Sequence, residues 1–281
     1  MNETIGILHP GSMGVGLAKT MQNSGYEVLW VSEGRSSETR ERAEGVGLTE
    51  VGTLAELCAR CSALVSVCPP HGAEELADQV LAQGFEGLYV DANAISPQKA
   101  QRIGQKMSAA GVTFVDGGII GGPPTKRNTT WLYLSGPVAQ QAAAFFSAGP
   151  LESEVLGEQI GKASALKMCF AANTKGTLAL LSAILGTAET LGVRDALERQ
   201  WSRYGSDLAT NAGKRVQRVA HTKAWRFMGE MEEMVETFGN AGLPNGFFKA
   251  AAQTYGRLAH FKNAPTRPEL QEVLAALQNE Q

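Results

Sequence analysis

TIGILHPGSMG, from Thr4 to Gly14, is the stretch that decides the fold of this chain. Residues 4–8 form a short apolar run of strand length, ending in a turn that carries Pro10, Gly11 and Gly14. A helical pattern follows, over about residues 15–23. Strand, tight glycine-bearing turn and helix make the opening of a dinucleotide-binding βαβ unit. Gly11 lets the backbone approach a pyrophosphate, and Gly14 lets the helix pack against the strand. The first N–H groups of the helix have no carbonyl before them to bond, so they are left for phosphate oxygens. His9, Pro10, Gly11, Ser12, Met13 and Gly14 are therefore candidate cofactor contacts, although His9 stands where a G-x-G-x-x-G turn has its first glycine.

The next strand, EVLWV over residues 27–31, leads into Ser32, Glu33, Gly34, Arg35, Ser36 and Ser37. A carboxylate at this strand end, ~20 residues past the turn, would hold the ribose 2′-hydroxyl of NAD. An arginine flanked by hydroxyls suits a 2′-phosphate better. Ser32, Arg35 and Ser36 thus point to NADP, with NAD left open because Glu33 can act as the ribose-binding acid. Strand and helix patterns then alternate: strands near 64–68, 87–91, 112–116, 129–135 and 152–156, with helices near 73–82 and 98–110. Such alternation makes a mostly parallel, doubly wound sheet. Cys68 and Pro69, and Asn93, lie at the carboxyl ends of the strands near 64–68 and 87–91, where such sheets bind ligands. Residues 117–124 hold four glycines and two prolines and read as a loop, in which Gly118, Ile119, Ile120 and Gly121 are candidate substrate contacts.

From residue 161 to 191 the chain is almost free of proline and rich in Ala, Leu and Met, which predicts one long helix. Helical patterns continue near 196–204, 207–218, 225–240, 246–259 and 268–278, so an α/β domain, 1–160, precedes an all-α domain, 161–281. Lys167 sits in the first turns of the long helix. A lysine among Ala, Leu, Met, Cys and Phe is expensive to bury unless it has a partner or a task. Further on, Lys214, Arg215, Arg218, His221, Lys223 and Arg226 collect cationic charge suited to an anionic substrate, and Glu230 lies among methionines, where a carboxylate needs a partner. Lys167 and Arg226 are its candidate partners.

At 281 residues, 43% hydrophobic and 19% charged, the chain has the composition of a globular protein. Its net charge of -3 argues against a nucleic-acid binder. No apolar run is read as reaching the ~18 residues of a membrane span. The start of the chain enters a strand with no basic segment or cleavage site, so a cytoplasmic protein is expected. Cys58 and Cys61 form a lone C-x-x-C inside a helical pattern. With no second pair they read as buried thiols in a reducing compartment, and no metal site is expected.

Taken together, the turn at 11–14, the loop 91–97, the segment 116–122 and the helix start 161–167 resemble the β-hydroxyacid dehydrogenase superfamily, which includes 3-hydroxyisobutyrate and 6-phosphogluconate dehydrogenases. The H-P-G-x-M-G turn and KAWRFMGEM, residues 223–231, resemble a branch with a C-terminal helical domain of unassigned function. The resemblance covers nearly the whole chain. It implies a Rossmann domain binding NADP, a helical substrate and dimerisation domain, and a homodimer. It also implies that Lys167 is the general acid/base at a hydroxyl or carbonyl carbon that exchanges hydride with nicotinamide. The substrate would be a small, anionic hydroxy acid or sugar-acid-like compound. Two positions depart from the pattern: the usual Asn four residues past the lysine is Ala171, and the substrate-binding Ser falls on Ile120. Thr174, seven residues past Lys167, returns to its helical face and is a candidate substitute. The alternatives are imine reduction, against which Lys167 counts, and an NADP-binding redox sensor or regulator without turnover.

Overall fold

The computed structural model describes residues 3–278. In chain order they form β1 (Thr4–Ile7), α1 (Ser12–Asn23), β2 (Glu27–Val31), α2 (Ser37–Gly45), β3 (Thr49–Val51), α3 (Leu54–Arg60) and β4 (Ala63–Ser66). There follow α4 (Ala73–Ala82), β5 (Leu88–Asp91), α5 (Pro97–Ala109), β6 (Thr113–Gly121), β7 (Thr130–Ser135), α6 (Ala139–Ala144) and β8 (Glu152–Val155). From there on the described elements are helical: α7 (Lys162–Ala171), a π-helical turn (Ala172–Gly176), α8 (Thr177–Thr190), α9 (Arg194–Arg203), α10 (Leu208–Thr222), α11 (Ala224–Asn240), α12 (Gly246–Leu258) and α13 (Leu270–Ala276). The strands make one sheet in the order β3-β2-β1-β4-β5-β6-β7-β8. It is parallel except where β7 runs against β6. A doubly wound α/β sheet followed by an all-α region is the fold class read from the sequence.

The inner strands read as continuous apolar runs because both of their faces are covered. Ile5, Ile7, Trp30, Val65, Val90 and Val115 face one layer, which includes Leu17 and Met21 of α1 and Phe145. The alternate residues Leu29, Leu64, Tyr89 and Phe114 face Leu57, Leu76, Ile103 and Met107 of α3, α4 and α5. Fully burying such a side chain contributes roughly 1.5–3 kcal/mol. These two layers hold the strand ends in a row.

By its internal contacts the chain forms two compact units, Met1–Met168 and Cys169–Gln281. The first two turns of α7 belong to the first unit, because they are hydrogen-bonded to it. In the second unit α11 packs on α12 through edge-to-face Phe227–Tyr255, 5.4 Å between centroids, and Phe238–Phe248 at 4.4 Å.

Three elements differ from the sequence reading. Residues 37–51 hold α2 and β3, which the pattern did not reveal: α2 is charged along its length and buries only Ala43, and β3 is three residues long. Residues 117–121 are not a loop but the second half of β6, paired antiparallel with β7 from Asp116↔Ser135 to Gly121↔Thr130. Their glycines answer to close neighbours. A Cβ on Gly117 would lie 2.9 Å from the Asp91 carbonyl oxygen, and one on Gly118 would lie 2.6 Å from that of Ala163 and 3.0 Å from Lys167 Cβ. Glycine inside a strand where another backbone comes close is the expected reason.

The third difference lies in the long helix, which is helical from Lys162 to Thr190 but widens at the π turn. It is long and apolar enough to cross a membrane by length and composition, contrary to the reading that no such run exists. In the second unit Ala179, Leu181, Leu185 and Ala188 are buried within the protein.

G118A is expected to lose roughly 1–3 kcal/mol by overpacking. By contrast G229A, inside α11 with nothing within 4 Å of the added methyl, is expected to gain about 0.5–1 kcal/mol. Urea unfolding of the two variants beside the parent checks both signs.

Candidate active site at the carboxyl edge of the sheet

Ile7 lies beside Val65, and Ser66, Asp91 and Asp116 continue the row across β4, β5 and β6. Just beyond that row come the glycine turn, the Cys68 loop, the Asn93 loop and the extension of β6. This is the edge where parallel sheets bind ligands.

α1 opens without a side-chain cap and without an acidic residue in its first turn. Gly11 N–H bonds the His9 carbonyl and Val15 N–H bonds that of Gly11. Among the described residues the N–H groups of Ser12, Met13 and Gly14 have no backbone partner. Three N–H groups at a helix start make an anion cradle. A Cβ on Gly14 would sit 2.0 Å from the His9 carbonyl oxygen, so glycine is required there, whereas one on Gly11 meets nothing within 4 Å. Pro10 is buried and Ser12 exposed. A Cβ on Gly16 would meet Pro124 Cδ at 2.5 Å, so the chain leaving β6 lies against α1 close to this turn.

Arg35 reaches back to the same turn. Its Nη2 donates to the Leu8 carbonyl at 3.3 Å, and its Nε is buried without a partner, as is His9 Nδ1. Burial pushes the Arg35 pKa down, and burial reinforced by the Arg35 charge pushes His9 down to about 4. Neutral His9 beside a desolvated guanidinium leaves that positive charge uncompensated, which suits an added phosphate. The two serines are engaged elsewhere: Ser32 Oγ donates to the Val51 carbonyl at 3.3 Å, and Ser36 Oγ caps α2 by accepting from Thr39 N–H. These residues fit a dinucleotide: open N–H groups, a glycine cradle and a buried unpartnered cationic nitrogen.

Asn93 is 2% exposed and turned inward. Its Oδ1 accepts from Cys68 N–H at 2.5 Å and its Nδ2 donates to Ser66 Oγ at 3.0 Å, so its side chain ties two edge loops together. Pro69 beside it is exposed. Asp91 Oδ1 accepts from Asn93 N–H at 2.9 Å, while its buried Oδ2 has no partner. Burial, with some repulsion from Asp116, raises the Asp91 pKa to about 7 against the pull of the Asn93 hydrogen bonds. Burial also pushes the Cys68 thiol up to about 12.

Asp116 holds the start of α7. Its Oδ2 accepts from Gly161 N–H at 3.0 Å, Ser164 N–H at 3.1 Å and Ser135 Oγ at 2.8 Å, and its Oδ1 accepts from Ser164 Oγ at 2.5 Å. Ser135 Oγ in turn accepts from Ala163 N–H at 3.1 Å. Burial raises its pKa, and these donors oppose the rise. A buried carboxylate at a helix N-terminus gains from both the orphan N–H groups and the helix dipole.

Three residues beyond Ser164, Lys167 is partly buried, and its Nζ donates to the Ile119 carbonyl at 2.6 Å. The amine thus lies along the part of β6 that runs past the row of strand ends. Gly118 and Ile119 are buried there, Ile120 is half-buried, and Gly121, at φ +126°, is exposed.

The remaining candidates lie in the helical unit. Thr174 is exposed, and its hydroxyl turns back to the Phe170 carbonyl at 3.2 Å and that of Ala171 at 3.4 Å. The π turn adds a residue to one helical turn, so spacing counted at 3.6 residues misplaces positions after Ala171. Glu230 is 4% exposed. Its principal partner is Lys175, which sequence reasoning passed over, with Arg226 Nε second at 3.8 Å. His221 bonds the Ala264 carbonyl, and Arg215 pairs with Asp207, so that stretch is largely structural. Cys58 and Cys61 are buried free thiols, pushed up to about 11 and 12 by burial. Among the described residues no group of three or more His, Cys, Asp or Glu could hold a metal ion.

Asp116 and Lys175 were both missed as site residues. Lys175 carried the same signal as Lys167, a lysine in an apolar helix; Asp116 carried only its place at the end of an apolar strand.

The sheet, the uncapped glycine turn and the added helices define a dinucleotide-binding protein with an all-α extension. Residues 4–147 match the NAD binding domain of 6-phosphogluconate dehydrogenase and residues 188–258 a domain of unknown function, DUF1932. The first match covers more than half of the chain, which belongs to that family and to the β-hydroxyacid dehydrogenase superfamily. An uncharacterised 28.5 kDa protein of Methanothermus fervidus is 29% identical over 171 residues, 61% of this chain and 65% of that one. The mitochondrial 3-hydroxyisobutyrate dehydrogenase of Drosophila melanogaster is 23% identical over 201 residues, 70% of this chain and 60% of that one. The chain therefore spans less than two thirds of the length of either relative. The structure of a Mycobacterium tuberculosis 3-hydroxyisobutyrate dehydrogenase shares the fold, with TM-score 0.70, 17% identity and coverage of 99% of this chain and 100% of that one.

Because the Asp91 pKa is higher in the folded state, its protonated form contributes stability in full below its unfolded value of about 4. That contribution is lost as pH rises through about 7. D91N keeps the acceptor for Asn93 N–H and cannot ionise. Its urea midpoint relative to the parent is expected to rise steadily from acid to alkaline pH; a difference independent of pH would show that Asp91 does not titrate in that window.

Proposed function

We propose that this protein is an NADP-dependent oxidoreductase acting on the hydroxyl or carbonyl carbon of a small, anionic hydroxy acid or sugar-acid-like substrate, with Lys167 as general acid/base. The observation that carries the reading is the Lys167 amine, partly buried and held 2.6 Å from the Ile119 carbonyl on the strand that overruns the sheet edge. A bound nicotinamide supplies the hydride donor or acceptor. The chain supplies the rest. In the oxidative direction neutral Lys167 Nζ takes the proton of the alcohol; in the reductive direction the ammonium returns it. The Ile119 carbonyl accepts one N–H and so orients the nitrogen. Asp116, through the start of α7, sets where that nitrogen stands.

On the cofactor side, the open N–H groups of residues 12–14 receive the pyrophosphate, with Gly11 leaving room for it. Arg35 receives the 2′-phosphate, which makes NADP the preferred partner over NAD. Cys68, Pro69 and Asn93 form the loops on the nicotinamide side, Asn93 by holding them in place. Gly118, Ile119, Ile120 and Gly121 offer backbone and apolar contacts to substrate. Arg226, Glu230 and Thr174 lie in the helical unit, where Thr174 keeps its hydroxyl within its own helix. The protein is proposed to work as a homodimer. The support is the apolar face that α8 and the residues after it leave exposed, with Leu180 47%, Ile184 38%, Leu191 68% and Val193 48% accessible.

K167A is expected to retain NADP(H) affinity and to lose turnover about 100-fold or more on whichever hydroxy acid a spectrophotometric screen identifies. Turnover equal to the parent, or activity confined to imines, would overturn the assignment. R35A is expected to weaken NADP(H) binding about tenfold or more while leaving NAD(H) nearly unchanged, as read by titration of protein fluorescence. Equal losses would remove Arg35 from the 2′-phosphate.

A further inference from the structure

The buried ion pair of the helical unit is not used by the chemistry above. Lys175 and Glu230 bond each other with side chains 15% and 5% exposed, deep enough that both have lost most of their water. A buried pair of this kind is weak evidence of stabilisation, since desolvating two charges consumes most of what their attraction returns. The pair is also unbalanced. Arg226 Nε stands 3.8 Å from the other oxygen of Glu230 and is 48% exposed, and Lys223 adds a further positive charge close enough to act on Lys175. Two cations, Lys175 and Arg226, thus gather on one carboxylate.

Their surroundings direct them. Lys175 Nζ lies 4.7 Å from the centre of the Phe227 ring, and the Arg226 guanidinium lies 6.0 Å from the same ring. Glu230 takes one of the three N–H donors of the ammonium. Lys175 belongs to the π turn, and the Tyr255 hydroxyl of α12 donates to the Lys175 carbonyl at 2.7 Å. Such turns recur where a helix presents a functional side chain. Burial lowers the Lys175 pKa against the opposing pull of Glu230.

We infer that Lys175 and Arg226, with Glu230 as their internal counter-ion, form a binding site within the helical unit for a small oxyanion, a carboxylate or a phosphate. The inference goes beyond the proposed function and does not rest on it, since the oxyanion need not belong to the substrate. The site needs no nicotinamide. The half-exposed Arg226 meets the anion first, and the ammonium of Lys175 completes its coordination from below, each supplying charge-assisted hydrogen bonds.

Isothermal titration of the full chain at low salt, without nucleotide, with inorganic phosphate and separately with malonate, tests this. The parent is expected to bind one equivalent of at least one of them. R226Q, a change at an exposed position that leaves the core untouched, and K175M are each expected to weaken binding about tenfold or more. E230Q, which removes the internal competitor, is expected to bind more tightly. K167A is expected to bind as the parent does, so loss of turnover in that variant bears on the proposed reaction and not on this site. Absence of binding in the parent, affinity unchanged in R226Q, or weaker binding in E230Q would overturn the inference.

Discussion

The carboxylate of Asp116 is the constraint from which the rest of the first unit follows. It is fully buried at the end of the parallel pairing of β5 with β6, and four donors from β7 and the start of α7 converge on it. Placing a charge in a protein interior costs several kcal/mol. Here the cost is offset because the carboxylate satisfies helix N–H groups that would otherwise be orphaned, and it sits at the positive end of the helix dipole. The strand end, the helix start and the amine one turn further on are thereby fixed to one another. Gly118 permits the closeness, since any side chain there would strike the Ala163 carbonyl.

A second buried carboxylate lies one strand away. Asp91 holds the Asn93 N–H, and the Asn93 side chain holds the loop that follows β4. Asp116 has four donors and Asp91 has the Asn93 N–H with one oxygen unpartnered, while burial raises the pKa of both. Asp116 anchors a helix, whereas Asp91 is the group poised to take up a proton near neutrality. Candidate contacts that looked chemical from the sequence, Asn93, Ser32 and Ser36, turn out to spend their side chains on this scaffolding. Their place beside the edge was legible; their hydrogen-bond partners were not, since those partners lie 15 or more residues away or depend on a cap that only the fold creates.

Much of the fold could be read because its signals are local. Buried parallel strands give unbroken apolar runs, and a glycine turn before a helix, which by itself can be purely structural, takes its meaning from the strand that follows. The errors came where local signals compete. GGIIGG reads as a turn by composition and is a strand by packing. The acidic and basic residues of α2 have no apolar period, so nothing marked the helix. Lys175 carries the same local signal as Lys167, a lysine in an apolar helix, and the π turn shifts every position after Ala171 from where a uniform helix would put it.

Most of the alternation of strands and helices, the dinucleotide turn and the lysine at the head of the long helix were determined by the sequence alone. All of these depend on residue type and on spacings within one or two elements. Only the tertiary structure decided that Asp116 pins α7, that Arg35 returns to the glycine turn, that Lys167 meets the Ile119 carbonyl and that Glu230 belongs to Lys175. Each of these joins residues from 27 to 55 positions apart. Such pairings are selected by which buried polar groups must find partners once the chain is compact, and no periodicity in the sequence records that requirement.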